Sequence, residues 1–241
     1  MRRVFAAAQI FDGTRLMRDH ALVLEEDRIV GVMRAAVAGP VTRRLSGTLA
    51  PGFLDLQVNG GGGLMVGPGT DAAALRAICA AHRRLGAAGV LPTLISDTPE
   101  VTLRVLEAGA GAARLGIPGF LGLHIEGPHL DPRRKGAHEA RRIRPMDEAD
   151  LRAYCAAARR MPVLMLTLSP ASATPEQVAR LAAAGVIVSL GHSECTLAEA
   201  QRYFAAGARV ATHLFNAMSQ LGNREPGLVG AVLGGQAGAG L

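Results

Sequence analysis

The sequence contains no tryptophan, few aromatic residues and only three cysteines. Cys79, Cys155 and Cys195 are far apart and form no CxxC pair. Neither a disulfide framework nor a thiolate zinc site is therefore expected. We predict instead that the three cysteines are core residues.

A long uninterrupted hydrophobic run is also missing. The N-terminal segment begins with arginines and apolar residues, but Gln9 and Asp12 interrupt it before a signal-peptide core or a membrane span could form. The sequence therefore predicts a cytoplasmic protein without a membrane partner.

The positive charge is large, with a net value of +6 and a pI near 10.2. The positively charged residues are nearly all arginines, and they are spread along the chain rather than clustered. A nucleic-acid partner is therefore not expected. We attribute the excess of positive charge to an arginine-rich composition. The same charge could help to steer an anionic substrate to the protein.

Two patterns divide the chain. Residues 1–50 alternate in polarity as strands do, with a turn at Asp12 and Gly13, and predict a small β domain, the N-terminal part of a β-sandwich. Residues 51–241 alternate short apolar runs with segments of helical period, which is typical of a (β/α) barrel. Strands are predicted at 53–58, 90–95, 120–125, 163–168, 186–190 and 210–213.

Helices are predicted between these strands, at 71–85, 99–115, 147–159, 175–184 and 197–206, with a sixth after Gly227. Capping side chains precede them at Asp71, Thr98, Asp147, Thr174 and Thr196. Glycines expected to end helices are Gly89, Gly185 and Gly207. Six βα units are two fewer than a closed α/β barrel of this type requires, so we predict a truncated (β/α)8 TIM barrel.

Active sites of such barrels lie at the carboxyl ends of the strands. Three predicted strands lead into Glu126, His192 and His213. One carboxylate and two imidazoles are suitable ligands for a catalytic zinc ion and leave a coordination position for water. The alternative is that each histidine only caps a strand and hydrogen-bonds a backbone carbonyl. For a single histidine this alternative is favoured, whereas three such residues at three strand ends favour a metal site.

The first predicted barrel strand lacks His-x-His and carries Gln57, Val58 and Asn59 instead. Amides are poor zinc ligands, so a two-metal centre is disfavoured. The glycine run at 60–63 predicts a close backbone approach, but it is only a weak indication of a phosphate-binding loop.

Four segments resemble N-acetylglucosamine-6-phosphate deacetylases of the amidohydrolase superfamily. They are PGFLDLQVNGGGG, HIEGPHLDPRRKGAH, SLGHSECT and THLFNAMSQLGNREPGLVGA, in the order found in that family. The resemblance implies one divalent metal ion on Glu126, His192 and His213. Zinc is expected, with iron, manganese or cobalt as alternatives.

The resemblance also assigns the substrate contacts. It implies that His138 polarises the acetamide carbonyl and that Arg224 binds the phosphate, near a neighbouring subunit of a homodimer. The remaining substrate positions that it implies are Gln57, Ala137, Asn216 and Ala217. The roles of His124 and His129 stay open.

The implied reaction is metal-dependent hydrolysis of N-acetylglucosamine 6-phosphate to glucosamine 6-phosphate and acetate, in amino-sugar catabolism. The family's general base is an aspartate after the eighth strand, which we expect to lie beyond the end of this chain. Two alternatives stay open: an amidohydrolase acting on a cyclic amide, and a noncatalytic fragment that binds a sugar phosphate.

Overall fold

The first 53 residues form a small sheet in the computed structural model, which describes residues 1–235 and 238–239. The strands are β1 (Arg2–Phe11), β2 (Leu16–Met17), β3 (His20–Glu25), β4 (Arg28–Arg34) and β5 (Arg43–Leu49). β1 pairs with β2 and β3 antiparallel and with β5 parallel, and β3 pairs with β4 antiparallel. The small core of this unit includes Val4, Ala21 and Val23, as the alternating pattern of β1 and β3 predicts.

Residues 54–241 form a second compact unit, built on a mainly parallel sheet. Its strands are β6 (Phe53–Val58), β9 (Ala87–Ile95), β10 (Gly122–Glu126), β11 (Val163–Leu168), β12 (Ile187–Leu190), β13 (Val210–Ala211) and β14 (Gly238–Ala239). Their order is β14-β13-β12-β11-β10-β9-β6, and the pairs from β9–β10 to β13–β14 are parallel. The predicted incomplete α/β barrel is confirmed. The division into domains at residues 50 and 51 stays a prediction.

Six helices connect these strands in the described residues. They are α1 (Ala72–Arg84), α2 (Pro99–Arg114), α3 (Glu148–Ala158), α4 (Pro175–Ala183), α5 (Leu197–Ala205) and α6 (Gly227–Leu233). The predicted side chains cap the first five, each accepting a hydrogen bond from a backbone N–H of the first turn. Within the described part of the chain, no helix is long and apolar enough to cross a membrane.

Three details of the prediction were wrong. Gly89 does not end a helix, because α1 stops earlier and Gly86 takes the positive φ, +100°, after it. The predicted sheet was one strand short, since β14 contains only glycine and alanine and shows no apolar run. The predicted last strand was too long: β13 ends at Ala211, so His213 lies in the following loop.

The small hairpin after β6 explains the glycine run. Its strands are β7 (Gly60–Gly61) and β8 (Leu64–Met65). A Cβ atom at Gly60 would lie 2.0 Å from the carbonyl oxygen of Leu64, so the close approach is to the hairpin's own backbone. The His82 ring lies 2.8 Å from the Gly60 carbonyl and fixes the hairpin to α1.

The core of the larger unit lies between the sheet and the helices. β10 and β11 are almost completely buried, including Leu123, Ile125, Leu164 and Leu166. Cys79 and Cys195 are buried in this core, and Cys155 packs against it, in agreement with the sequence. The two outer strands of the described sheet are β6 and β14, and on β6 Phe53 and Leu54 are exposed. An exposed apolar edge is the feature expected of an incomplete barrel.

Candidate metal centre

Three side chains meet at the carboxyl ends of three strands. Glu126 is the last residue of β10, while His192 and His213 each lie two residues beyond the ends of β12 and β13. The Nε2 atoms of His192 and His213 lie 3.3 and 3.1 Å from the Glu126 Oε1 atom and 3.0 Å from each other. The structure therefore brings together the three residues that the strand ends predicted.

The opposite ring nitrogens fix the state of both histidines. The Nδ1 atom of His192 lies 2.8 Å from the carbonyl oxygen of Arg134, and that of His213 lies 3.0 Å from the carbonyl oxygen of Asn216. A carbonyl oxygen can only accept a hydrogen bond, so each Nδ1 carries a proton and Nε2 is the ring atom that faces Glu126. A cation that replaces the protons shared between these groups would meet two imidazole nitrogens and one carboxylate oxygen. This donor set suits a divalent metal ion.

The electrostatics of Glu126 agree with this arrangement. The side chain is 3% exposed, and burial by itself would raise the pKa of its carboxyl. Hydrogen bonds with His192 and His213 outweigh burial and hold that pKa well below its usual range. The carboxylate is therefore charged at neutral pH, as a metal ligand must be.

Backbone strain is concentrated in the same loops. Among the described residues, six non-glycine residues have positive φ angles, and four of these are His192, His213, Phe215 and Ala217. Such conformations are costly for side chains with a Cβ atom and persist where the surrounding structure enforces them. The two histidine loops are thus held in shapes that direct the rings toward Glu126.

His138 lies beside this cluster and is 4% exposed. The backbone N–H of Ser96 donates to its Nδ1 atom at 3.2 Å, and the Ser96 hydroxyl oxygen lies 2.8 Å from the same atom. Burial, with the nearby His192, lowers the pKa of His138 to about 4. The ring is therefore neutral at pH 7, with its proton on Nε2, which lies 3.7 Å from the Glu126 Oε2 atom.

The other predicted substrate residues are less enclosed. Ala137, Asn216 and Arg224 are exposed, while Gln57 and Ala217 are half-buried. Asn216 is tied to the centre through its carbonyl oxygen, which accepts from His213. No contact among the described residues joins the Arg224 side chain to the metal cluster.

Sequence reasoning missed two polar groups here. Ser96 follows the last residue of β9 and is 7% exposed, so the strand-end rule that found Glu126 would also have found it. The Asn59 side-chain nitrogen, just beyond β6, is buried without a hydrogen-bond partner in the described structure. Buried donors are usually satisfied, so this unpaired amide is an exception among the described residues.

The role of His129, which the sequence left open, is to brace a loop. Its Nδ1 atom donates to the Arg144 carbonyl oxygen at 3.1 Å, and its Nε2 atom accepts from the Tyr154 hydroxyl at 3.2 Å. The backbone N–H of Arg144 in turn donates to the carbonyl oxygen of Pro128. These bonds close the base of the loop that carries His138.

Burial of His129 makes the stability depend on pH. Its pKa falls from 6.5 to about 4, because burial opposes the charged form more than Asp150 favours it. The unfolded chain therefore binds this proton more tightly, and the contribution of His129 to stability is lost as the pH falls from 6.5 to about 4.

We expect His129→Gln to reduce this dependence. In urea unfolding between pH 7 and 4.5, the wild-type chain should lose about 2 kcal/mol more than the variant, because glutamine has no proton to bind. Parallel stability curves for the two proteins would contradict a neutral, buried His129.

The chain is similar to curated proteins over most of its own length. It is 39% identical over 233 residues to an N-acetylgalactosamine-6-phosphate deacetylase of Shewanella, covering 92% of this chain and 59% of that protein. It is 34% identical over 225 residues to the human N-acetylglucosamine-6-phosphate deacetylase, covering 90% and 53%. The chain thus spans little more than half the length of these relatives. No protein-family model matches it.

Solved structures show the same fold. The structure of N-acetylglucosamine-6-phosphate deacetylase from Pasteurella multocida matches with a TM-score of 0.91 and 30% identity, over 100% of this chain and 64% of that one. A D-hydantoinase matches with a TM-score of 0.51 at 12% identity, covering 88% and 52%, which shows a common fold alone. The chain therefore shares the fold of these structures and spans only part of their length.

Proposed function

Since this chain is a homologue of the N-acetylglucosamine- and N-acetylgalactosamine-6-phosphate deacetylases, we propose that it forms the metal-binding part of an enzyme of amino-sugar catabolism. The proposed reaction is hydrolysis of N-acetylglucosamine 6-phosphate to glucosamine 6-phosphate and acetate. The observation that carries the proposal is the convergence of three potential ligand atoms, from Glu126, His192 and His213, beside the neutral donor His138.

Glu126, His192 and His213 would hold one divalent cation, and two imidazoles with one carboxylate favour zinc among the candidates. A bound zinc ion acidifies a water molecule and polarises an amide carbonyl. The protein's own part is to hold both histidines in the required tautomer through the carbonyl oxygens of Arg134 and Asn216.

His138 would donate a hydrogen bond to the acetamide oxygen of the substrate. Ser96 keeps the proton on Nε2, the atom that faces the centre, and the lowered pKa of His138 keeps the ring from acting as a cation. A fixed donor at this position stabilises the negative charge that develops on the oxygen during attack. His138 is therefore proposed as a hydrogen-bond donor rather than a base.

The phosphate would be bound by Arg224. A guanidinium group offers a forked set of donors that matches phosphate oxygens and stays charged at any working pH. Arg224 is exposed and so accessible to a ligand. Gln57, Ala137, Asn216 and Ala217 are proposed to contact the sugar and its acetamide. A homodimeric enzyme and a cytoplasmic location stay predictions.

The general base is not among these residues. Asp131, the aspartate of the Glu126 loop, is 2% exposed and already accepts hydrogen bonds from Arg133 and from the backbone of Glu194. The proposal therefore assigns the base to the part of the relatives that this chain does not span. General acid–base catalysis contributes about 10²- to 10⁴-fold to such reactions, so this chain alone should be a slow catalyst.

The first test is ligand binding and acetate release by the 241-residue chain carrying zinc. We expect calorimetry to show at least ~10-fold tighter binding of N-acetylglucosamine 6-phosphate than of N-acetylglucosamine, because each charge-assisted phosphate contact adds about 1.5–3 kcal/mol. Acetate release should be at least ~100-fold slower than that of the human relative, because the base is missing.

Arg224→Gln is the matched variant for this test. It should remove most of the preference for the phosphorylated sugar while zinc binding is unchanged. Equal binding of the two sugars by the wild-type chain would refute the proposed substrate class. Hydrolysis of a cyclic amide instead would identify a different amidohydrolase.

A second candidate substrate is N-acetylgalactosamine 6-phosphate, because the Shewanella relative at 39% identity carries that name. The two sugars differ only in configuration at C4, so the same metal centre would serve either. Calorimetry with both epimers decides between them, and tighter binding of the galacto epimer would replace the first candidate.

A further inference from the structure

Three buried hydroxyl groups and one histidine form a hydrogen-bonded chain across β10, β11, β12 and the end of β13. The Ser189 and Thr212 hydroxyl oxygens lie 2.6 Å apart, and those of Thr212 and Thr167 lie 2.7 Å apart. The Thr167 hydroxyl lies 2.7 Å from the Nε2 atom of His124. All four side chains are at most 3% exposed. This hydroxyl chain uses a buried histidine that the proposed reaction leaves without a role.

When the His124 ring is neutral, the hydrogen bonds of this chain run in one direction. The Nδ1 atom of His124 lies 3.0 Å from the carbonyl oxygen of Leu56, which can only accept, so Nδ1 carries the proton. The neutral ring then accepts at Nε2, and the Thr167 hydroxyl must donate to it. Thr212 consequently donates to Thr167, and Ser189 donates to Thr212. Each hydroxyl has one proton, so removing the Thr167 hydroxyl leaves the Nε2 atom of His124 without its donor and the Thr212 hydroxyl proton without its acceptor.

Three of the four members of the hydroxyl chain lie close in sequence to a residue of the metal cluster. His124 precedes Glu126 by two residues on β10, Thr212 directly precedes His213, and Ser189 lies three residues before His192. Thr167, the fourth member, lies in β11, and its main-chain carbonyl oxygen accepts a hydrogen bond from the backbone N–H of Gly127, next to Glu126, at 3.0 Å.

The packing around Thr167 supports the same connection. A Cβ atom at Gly191 would lie 2.8 Å from the Thr167 Cγ2 atom and 3.2 Å from the Thr212 Cβ atom. The peptide before His192 therefore rests directly on both threonines. Thr167 lies in β11, which contributes none of the three clustered ligands, yet it contacts residues adjacent to all of them.

We infer that Thr167 is a positioning residue of the metal centre. Its hydroxyl joins the strand of Glu126 to the strand end of His213, and its methyl group supports the loop of His192. Ligands that come from three separate strands keep a common geometry only if the strands are fixed relative to one another. This inference rests on the proposed function, because it assumes that Glu126, His192 and His213 bind the metal.

The test compares two substitutions at this one position. Thr167→Val keeps the shape and removes the hydroxyl, whereas Thr167→Ser keeps the hydroxyl and removes the methyl group. We expect zinc affinity, measured by chelator competition, to fall about tenfold or more for valine and about threefold or less for serine. The visible spectrum of bound cobalt(II) should change for the valine variant and resemble the wild type for the serine variant.

Thr102→Val is the matched control. Thr102 is a buried threonine of α2 whose hydroxyl donates to the Thr98 carbonyl, in a helix that carries none of the clustered ligands. The zinc affinity of Thr102→Val should equal that of the wild type. This result would show that losing a buried hydroxyl weakens zinc binding at Thr167 and not at every position. If Thr167→Val fails to fold by circular dichroism, Thr212→Val and Thr212→Ser test the next link and should show the same contrast.

The outcomes separate this inference from the proposed function. If the valine and serine variants of Thr167 bind zinc equally tightly, the positioning role is overturned while the metal centre stands. The same holds for the two Thr212 variants if Thr167→Val does not fold. A wild-type chain that binds no zinc overturns the metal centre, and the positioning role with it.

Discussion

Replacing Glu126 with glutamine should lower the affinity of the chain for zinc at least ~100-fold, because amides are poor zinc ligands. Glu126 is the only anion among the three clustered residues, and its Oε1 atom lies within 3.3 Å of both histidine Nε2 atoms. Glutamine keeps the size of the side chain, so the effect isolates the charge. Zinc content after dialysis and chelator competition would measure it.

Glu139→Gln is the control for this substitution. Glu139 lies near the same loop, is exposed, and pairs with Arg141 and Arg142 rather than with the centre. Its zinc affinity should be unchanged. If the Glu126 variant kept the zinc content of the wild type while remaining folded by circular dichroism, the proposed metal centre would be wrong.

Gly122→Ala should destabilise the chain by about 3–5 kcal/mol, the range typical of severe core substitutions. Gly122 begins β10 with a φ angle of +139°, and a Cβ atom there would lie 1.8 Å from the carbonyl oxygen of Val163 on β11. Gly122 and Val163 are paired in the parallel register, so the clash is with backbone that cannot move without breaking that pairing. Urea unfolding at neutral pH would measure the loss.

Gly116→Ala provides the comparison within the same connection between α2 and β10. Gly116 has a φ angle of +56°, and an added Cβ atom would meet nothing within 4 Å. Only the left-handed conformation penalises alanine there, at a cost of about 1–2 kcal/mol. Equal losses for the two variants would show that the contact with Val163 does not decide the stability of this strand.

The helices could be predicted because their signals are local. Asp147 and Thr174 accept hydrogen bonds from the first turns of α3 and α4, and both helices carry reciprocal capping boxes. Such contacts span three residues, so a short stretch of sequence contains both partners. The two-residue strand β14 has no comparable signal, and it was missed.

The metal cluster could be predicted for a different reason. Parallel strands place all their carboxyl ends at the same edge of a sheet, so polar residues that end apolar runs must meet there. Glu126, His192 and His213 follow that rule although up to 87 residues separate them. The rule says which residues meet, but not which ring nitrogen faces the centre.

By itself, therefore, the sequence determined the order of βα units, the capped helices and the identity of the clustered residues. Only the tertiary structure decided the protonation of each ring, the donor role of His138 beside Ser96, the brace at His129 and the hydroxyl chain through Thr167. Most of these properties depend on hydrogen bonds between groups far apart in the sequence, such as those from His129 to Tyr154, 25 residues away, and from His192 to the carbonyl oxygen of Arg134, 58 residues away. Their partners are selected by the packing of separate strands and loops, and no local pattern in the sequence records that choice.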